Sequence, residues 1–366
     1  MNDDGPRLKV ARLLPALDFG GVESRVVLQA QGIDRDRFDF RVVAFHHAGQ
    51  AAERIRAAGI PVDILGTSPS IRSVRAPLAL AAWLRRERPD VLHASIAEAN
   101  QHAAVAGSLC RISARILEEV GVPVRSVQGR VLQGVAARLA HRVVGVTQAT
   151  VDWLAANERI PRHKLALVYN CGKPQFFGPV TRGMRKPGPL RIFTAGRLVW
   201  QKDHPTLVRA FAKARADGLD AELWIAGDGP LKAELDAVAH GVGGVKLLGY
   251  REDIRALLDD VDLFVLPSVS EGCSVALIEA MASGIPCLAS DIPGNAEVIG
   301  AQGWLPPAGD VAAWAVALHR FAALPALARA EMGMRGREIA IDRFSPDVYL
   351  RTVERLYRDT WRERTQ

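Results

Sequence analysis

Short apolar runs and amphipathic stretches alternate along the chain. In the first half, residues 8–14, 40–45, 61–65, 90–94, 115–117, 142–146 and 165–169 read as buried strands. Their near-continuous hydrophobicity suits a sheet covered on both faces. Between them, residues 24–31, 51–58 and 76–88 carry helical spacing. Residues 174–189 break the rhythm with four prolines and three glycines, a density that reads as a linker. A second alternating series follows. Strands are expected at 191–195, 221–226, 245–248, 263–267 and 287–290, and helices at 205–216, 231–239 and 254–258. Residues 346–361 form a final amphipathic stretch with no strand after it. Strands alternating with helices predict parallel sheets flanked by helices. Two doubly wound α/β domains are therefore expected: residues 1–175, a linker at 176–189, and residues 190–345. A terminal helix at 346–366 is expected to pack against the body and to cross back to the first domain. A cleft at the carboxyl ends of both sheets would hold the ligand.

Composition sharpens this picture. A chain of 366 residues with 49% apolar and 24% charged residues suits two globular domains. Cys110, Cys171, Cys273 and Cys287 are scattered with no CxxC pair, so a reducing compartment is expected. The polar, acidic start has no apolar core and does not read as a secretory leader. The apolar tract at 311–328 is broken by His319, Arg320 and Pro325 and reads as a packed helix pair, not a membrane span. The charge is uneven. Residues 1–180 hold 24 Lys and Arg against 16 Asp and Glu; the remainder hold 23 against 24. Clusters such as Arg72/Arg75 and Arg85/Arg86/Arg88 carry the excess. A basic first half suits an anionic membrane surface or an acidic acceptor, and equally a solvated surface. No nucleic-acid motif accompanies it.

Candidate chemistry concentrates at strand ends of the second half. Glu271 and Glu279 bracket a small-residue turn, Gly272-Cys273-Ser274-Val275, that follows a strand and opens a helix. Amides at a helix start suit a phosphate, and carboxylates accept hydrogen bonds from sugar hydroxyls. Gly196-Arg197 follows another strand, with Lys202 five residues beyond Arg197. A guanidinium fork and a compact ammonium suit a diphosphate. Gly227-Asp228-Gly229-Pro230 leaves another strand, where its glycines allow close approach of a ligand, and Gly249-Tyr250 leaves a further one, where backbone contacts to a base are expected. Gly20-Gly21 occupies the first strand-to-helix turn of the chain. Each of these is weak alone. Together they point to a nucleotide carrying a sugar. Asp260-Val-Asp262 has the look of a metal-binding DxD but sits at a strand entrance, where acidic turn polarity suffices; no metal is expected.

In order along the chain, Gly-Arg-Leu-(x)3-Lys, Gly-Asp-Gly-Pro, Leu-Gly, Pro-Ser-(x)2-Glu-Gly, Glu-(x)7-Glu and Ala-Met-Ala-(x)-Gly-(x)-Pro resemble the retaining GT-B glycosyltransferases of family 4. The resemblance implies two Rossmann-like domains and a UDP- or GDP-sugar donor with no further cofactor. It implies that Arg197 and Lys202 hold the diphosphate and that Glu279 binds the ribose. Glu271 would touch the transferred sugar, and the amides near Cys273, Ser274 and Val275 the phosphate. Gly20 and Gly21 would close over the phosphates. The acceptor would be a glycan, a lipid-linked saccharide or a lipopolysaccharide-type molecule, and the location cytoplasmic, at most peripheral on the membrane.

The chain departs from that family in its first half. A histidine expected after the strand at 115–117 is replaced by Glu118-Glu119-Val-Gly. Glu118, Glu119 and the nearby His93 are the minor candidates for its place. The Glu-Gly-Phe-Gly of the family is here Glu271-Gly272-Cys273-Ser274. Two alternatives stay open: a sugar-nucleotide epimerase on the same fold, and a nucleotide-sugar-binding partner without turnover.

Overall fold

The computed structural model describes residues 6–18, 20–121, 127–180 and 188–365. Of the expected linker, residues 181–187 lie outside the described residues. The chain divides into two units, Met1–Asn170 with Asp347–Gln366, and Cys171–Pro346.

In the first unit the strands are β1 (Leu8–Leu14), β2 (Phe38–Ala44), β3 (Val62–Ile64), β4 (Val91–Ser95), β5 (Ala114–Glu119), β6 (Arg142–Gly145) and β7 (Leu165–Leu167). Every pairing is parallel, in the order β3-β2-β1-β4-β5-β6-β7. Helices α1 (Gly21–Gly32), α2 (Gln50–Ala57), α3 (Arg75–Glu87), α4 (Ala97–Leu109), α5 (Val127–Leu139) and α6 (Gln148–Asn157) connect the strands. The second unit holds β8 (Leu190–Ala195), β9 (Ala221–Ala226), β10 (Val245–Gly249), β11 (Leu263–Leu266) and β12 (Cys287–Ala289). These also pair in parallel, in the order β10-β9-β8-β11-β12. Its helices are α7 (His204–Ala216), α8 (Lys232–Ala239), α9 (Ile254–Asp259), α10 (Val275–Ala282), α11 (Pro293–Ile299), α12 (Val311–Ala322) and α13 (Ala326–Phe344). The last helix, α14 (Pro346–Thr365), belongs to the first unit from Asp347 onward.

In both sheets the strand order reverses direction, between β1 and β4 and between β8 and β11. Loops leaving the carboxyl ends diverge at such a point and open a crevice there. The cores are conventional. In the first unit Leu13, Val43, Leu80, Trp83 and Leu117 pack together; in the second Phe211, Ile225, Val265, Trp314 and Phe321 do. Burial of Trp314, Leu318 and Phe321 accounts for the apolar tract of α12. Among the described residues, no single helix is long and apolar enough to cross a membrane.

The expected boundary at residue 175 differs from the observed division. Residues from Cys171 group with the second unit, because the Gly172 amide donates to the Phe344 carbonyl at 3.3 Å and the Lys173 amide donates to Glu279 at 3.4 Å. Helix α14 is tied to the first unit by polar groups. The Tyr357 hydroxyl accepts from Gln29 at 2.7 Å and meets His93 Nδ1 at 2.9 Å. The Asp34 amide donates to Glu354 at 3.0 Å.

Candidate functional site

The second unit gathers most of the candidate residues at the carboxyl ends of its strands. The loop after β8 carries Gly196 and Arg197, and a short turn at Trp200–Lys202 ends it. Asp203 then adopts a left-handed conformation, φ 44°, and caps α7 by accepting from the Thr206 amide at 3.4 Å. A non-glycine residue in this region is uncommon and is held by its surroundings. The reversal leaves Lys202 facing the loop after β11. There its ammonium meets Glu271 at 2.5 Å, and the Val269 amide donates to the Gln201 carbonyl at 2.8 Å. These two loops leave the strands on either side of the switch point. The pair formed by Lys202 and Glu271 therefore sits where an open α/β sheet binds its ligand.

Glycines make this close lacing possible. A Cβ on Gly227 would lie 1.9 Å from the Gly196 carbonyl oxygen, and one on Gly229 would lie 2.6 Å from that of Leu198. The Gly227 amide donates to the Gly249 carbonyl at 2.8 Å, and Gly249 itself has φ +66°. The loops after β8, β9 and β10 are thus fixed to one another through backbone, which pre-organises whatever they bind. Arg197 and Tyr250 are exposed, so both are accessible to a ligand.

Glu271 is positioned by a chain of polar groups. The Ser268 hydroxyl donates to Glu271 at 2.7 Å. Ser290 Oγ donates to the Ser268 carbonyl, and Asn295 Nδ2 donates to the Ser290 carbonyl at 3.2 Å. Gly294 packs against the Glu271 and Gly272 carbonyls so closely that a Cβ would come within 2.4 Å of the latter. Behind Glu271, Cys273 is buried and Ser274 caps α10, accepting from the Leu277 amide at 3.5 Å. Val275 is the first residue of α10.

Glu279 lies on α10 and is 6% exposed. Burial pushes its carboxyl up to about 7, against a pull from Lys173, whose ammonium is 4.0 Å away. The folded protein therefore binds a proton here that the unfolded chain releases between about pH 4.5 and 7. This contribution to stability is present in acid and is lost as pH rises through 7. Of two neighbours of the carboxylates, Ser268 lies within the Pro-Ser-(x)2-Glu-Gly motif but was given no role, and Lys173 was not singled out in the sequence. Ser268 stands three residues before Glu271, a spacing that marks it; Lys173 is 106 residues from Glu279, with no local signal.

In the first unit Gly20 precedes α1 and Gly21 is its first residue. A Cβ on Gly20 would lie 2.4 Å from the Glu23 carboxylate, whereas Gly21 has open space around it. The minor candidates need correction. Glu118 and Glu119 do not leave the strand; they are the last two residues of β5, and both are buried. Glu118 is gripped by Arg12 at 2.6 Å and Arg25 at 2.7 Å and also accepts from Ser95. Burial would raise its carboxyl, but Arg25 and Arg12 outweigh that and hold it well below the usual range. Glu119 accepts from Asn100 at 3.2 Å. His93 is 1% exposed, kept neutral by burial and by Arg12, and bonded to Tyr357. These groups brace the fold. Asp262 likewise accepts from the Arg191 amide at 2.9 Å, and Asp260 pairs with Arg191 at 3.1 Å. Among the described residues no cluster of His, Cys, Asp and Glu has metal-site geometry.

The glycine loops and carboxylates gathered at the strand ends of the second sheet define a class, and comparison with known proteins agrees. Residues 19–172 match the model described as Glycosyltransferase Family 4, and residues 189–323 match that described as Glycosyl transferases group 1. The chain belongs to this family of glycosyltransferases and has the GT-B fold. It is 25% identical over 332 residues to the UDP-Gal:alpha-D-GlcNAc-diphosphoundecaprenol alpha-1,3-galactosyltransferase of Escherichia coli, covering 81% of this chain and 82% of that one. It is 39% identical over 145 residues to the amylovoran biosynthesis glycosyltransferase AmsK of Erwinia amylovora, where the match spans only 36% of each. Among solved structures, a glycosyltransferase from Rickettsia africae superposes with a TM-score of 0.83 at 17% identity, covering 97% of this chain and 98% of that one. HepE of Anabaena, solved in complex with UDP and glucose, superposes with a TM-score of 0.80 at 20% identity, covering 96% and 100%.

Proposed function

We propose that the protein is a retaining glycosyltransferase. It moves a sugar from a nucleoside-diphosphate sugar, UDP- or GDP-linked, to a hydroxyl of a glycan, lipid-linked saccharide or lipopolysaccharide-type acceptor. The observation that carries this reading is the pair formed by Lys202 and Glu271 at the switch point of the second sheet, with Glu279 buried on α10, the helix that follows Glu271. The names of the E. coli relative and of the Anabaena complex support a nucleotide-sugar donor and a lipid-linked or glycan acceptor.

The chemistry follows from charge. Breaking the sugar–phosphate bond builds positive charge on the sugar and negative charge on the diphosphate. Arg197, Lys202 and the amides at Ser274 and Val275 stabilise the leaving diphosphate, in the manner of donors aimed at developing charge. Once the diphosphate takes Lys202, Glu271 is released to accept from the sugar hydroxyls. The acceptor hydroxyl attacks from the leaving-group side and passes its proton to a phosphate oxygen, so configuration is retained and no protein nucleophile or metal is needed. Glu279 accepts from the ribose hydroxyls in its ionised form.

The test is thermal stabilisation by a panel of UDP-, GDP- and ADP-sugars at pH 6 and pH 8. A ligand that binds only the folded state raises the melting point by mass action. One nucleotide class is expected to respond. Its effect is expected to be larger at pH 8, because at pH 6 binding must first remove the Glu279 proton; a nucleotide sugar has no group of its own that titrates there. No response at either pH, with no transfer to any acceptor, would overturn the reading.

The basic first unit supports a location in the cytoplasm against the anionic face of the membrane. High-salt washing of membranes is expected to release the protein, because screening shortens the reach of surface charge to about 3 Å at 1 M. Retention through the wash would rule out attachment by charge.

A further inference from the structure

Helix α14 presents a stripe of arginines that the donor chemistry does not use. Arg351, Arg355, Arg358 and Arg362 recur at helical spacing on one side of it. With Arg37, from the segment just before β2, they line a hollow of about 250 Å³. Among the described residues, the carboxylates lining it are Glu354 and Asp359. Five guanidiniums face two carboxylates, and Glu354 already accepts from the Asp34 amide at 3.0 Å.

An arginine stripe is often a solvated helix face, but three features set this one apart. The arginines converge from two elements upon a concavity far larger than the roughly 30 Å³ share of one water. Arg358 is only 5% exposed, its guanidinium stacked 5.4 Å from the Phe38 ring centre. The helix is locked in place from beneath, through Tyr357 to Gln29 and His93. Glu354 stands four residues before Arg358 and Asp359 four residues after Arg355, which offsets part of the repulsion along the helix and leaves a cationic surplus around the hollow. Guanidinium forks match phosphate oxygens in pairs, and a site held rigid before binding loses little freedom on binding.

We propose that this hollow binds a phosphate-bearing anion carrying two to three negative charges, at a site separate from the donor residues of the second unit. A phospholipid headgroup and a soluble diphosphate present the same chemistry.

The experiment is calorimetric titration of the full-length protein with inorganic pyrophosphate, in wild type, Arg351→Gln/Arg355→Gln and Arg197→Ala. Arg351 and Arg355 are exposed, so their replacement leaves the fold intact. Arg37→Gln tests the hollow from its other wall. Loss of affinity of about tenfold or more in the double variant and in Arg37→Gln, with binding retained in Arg197→Ala, is the expected result. Binding lost in Arg197→Ala and unchanged in the double variant would place all pyrophosphate at the donor site and overturn the proposal, as would no binding at all. Sedimentation with phosphatidylcholine vesicles, with and without phosphatidylglycerol, separates the sources. Binding to the anionic vesicles that pyrophosphate displaces and the double variant lacks identifies a lipid headgroup. Pyrophosphate binding without vesicle binding identifies a soluble ligand.

Discussion

Lys202→Ala is expected to slow sugar transfer by about 10²–10³-fold, the usual cost of removing one donor aimed at developing negative charge. Its ammonium is the group nearest Glu271, at 2.5 Å, and is placed by the left-handed turn at Asp203. The loss should fall mainly on kcat, because charge on the leaving diphosphate is fully developed only in the transition state. Glu279→Ala gives the contrast. On the proposed reading its carboxylate meets the unreacting ribose, so the change should raise KM for the donor with a smaller effect on kcat. Arg197→Ala should resemble Lys202→Ala. Steady-state kinetics with the donor identified by thermal stabilisation check all three. Wild-type turnover by both Lys202→Ala and Arg197→Ala would refute the site.

The largest loss of stability is expected from Glu118→Ala. This carboxylate is 1% exposed and neutralises Arg12 and Arg25, which are 0% and 2% exposed. Removing it strands two buried guanidiniums, and breaking a buried pair costs about 3–5 kcal/mol. For a unit of this size that lowers the melting point by roughly 10 °C. The pH dependence has a definite sign. The folded-state pKa of Glu118 is depressed, so its contribution is present above the ordinary carboxylate range and is lost as pH falls below it. Scanning calorimetry of the wild type and variant at neutral and acid pH provides the check. A variant that melts within about 2 °C of wild type at neutral pH would show that water reaches the two arginines.

The strands were the most legible part of the fold. Residues 8–14 and 221–226 were read with the bounds they have, because parallel strands covered on both faces are continuous apolar runs. Helices α4, α5, α6 and α11 were not read. The Ala97–Leu109 segment is alanine-rich and carries buried Asn100 and His102, so its faces do not separate into apolar and polar. In the site, glycines and carboxylates at strand ends were visible because strand ends are marked locally. What the sequence hid were contacts between distant segments. Glu118 meets Arg12 across 106 residues and Arg25 across 93. Read locally, Glu118 and Glu119 looked like an exit loop, because two acids ending a strand signal solvent unless their partners are known. The support of Glu271 by Ser268, Ser290 and Asn295 is likewise assembled from the loop after β11, the loop after β12 and helix α11.

The first unit is built from two separated pieces of chain, with the second unit's residues lying between them in sequence. A ribosome therefore completes the second unit before it supplies the segment from Asp347 onward. Until then Gln29 and His93 lack Tyr357, and the Asp34 amide lacks Glu354. The nascent first unit must wait with its surface for α14 uncovered through the synthesis of 176 further residues. That interval is when the chain most needs protection from aggregation, and a ribosome that stalls before Asp347 leaves a complete second unit beside a first unit without α14.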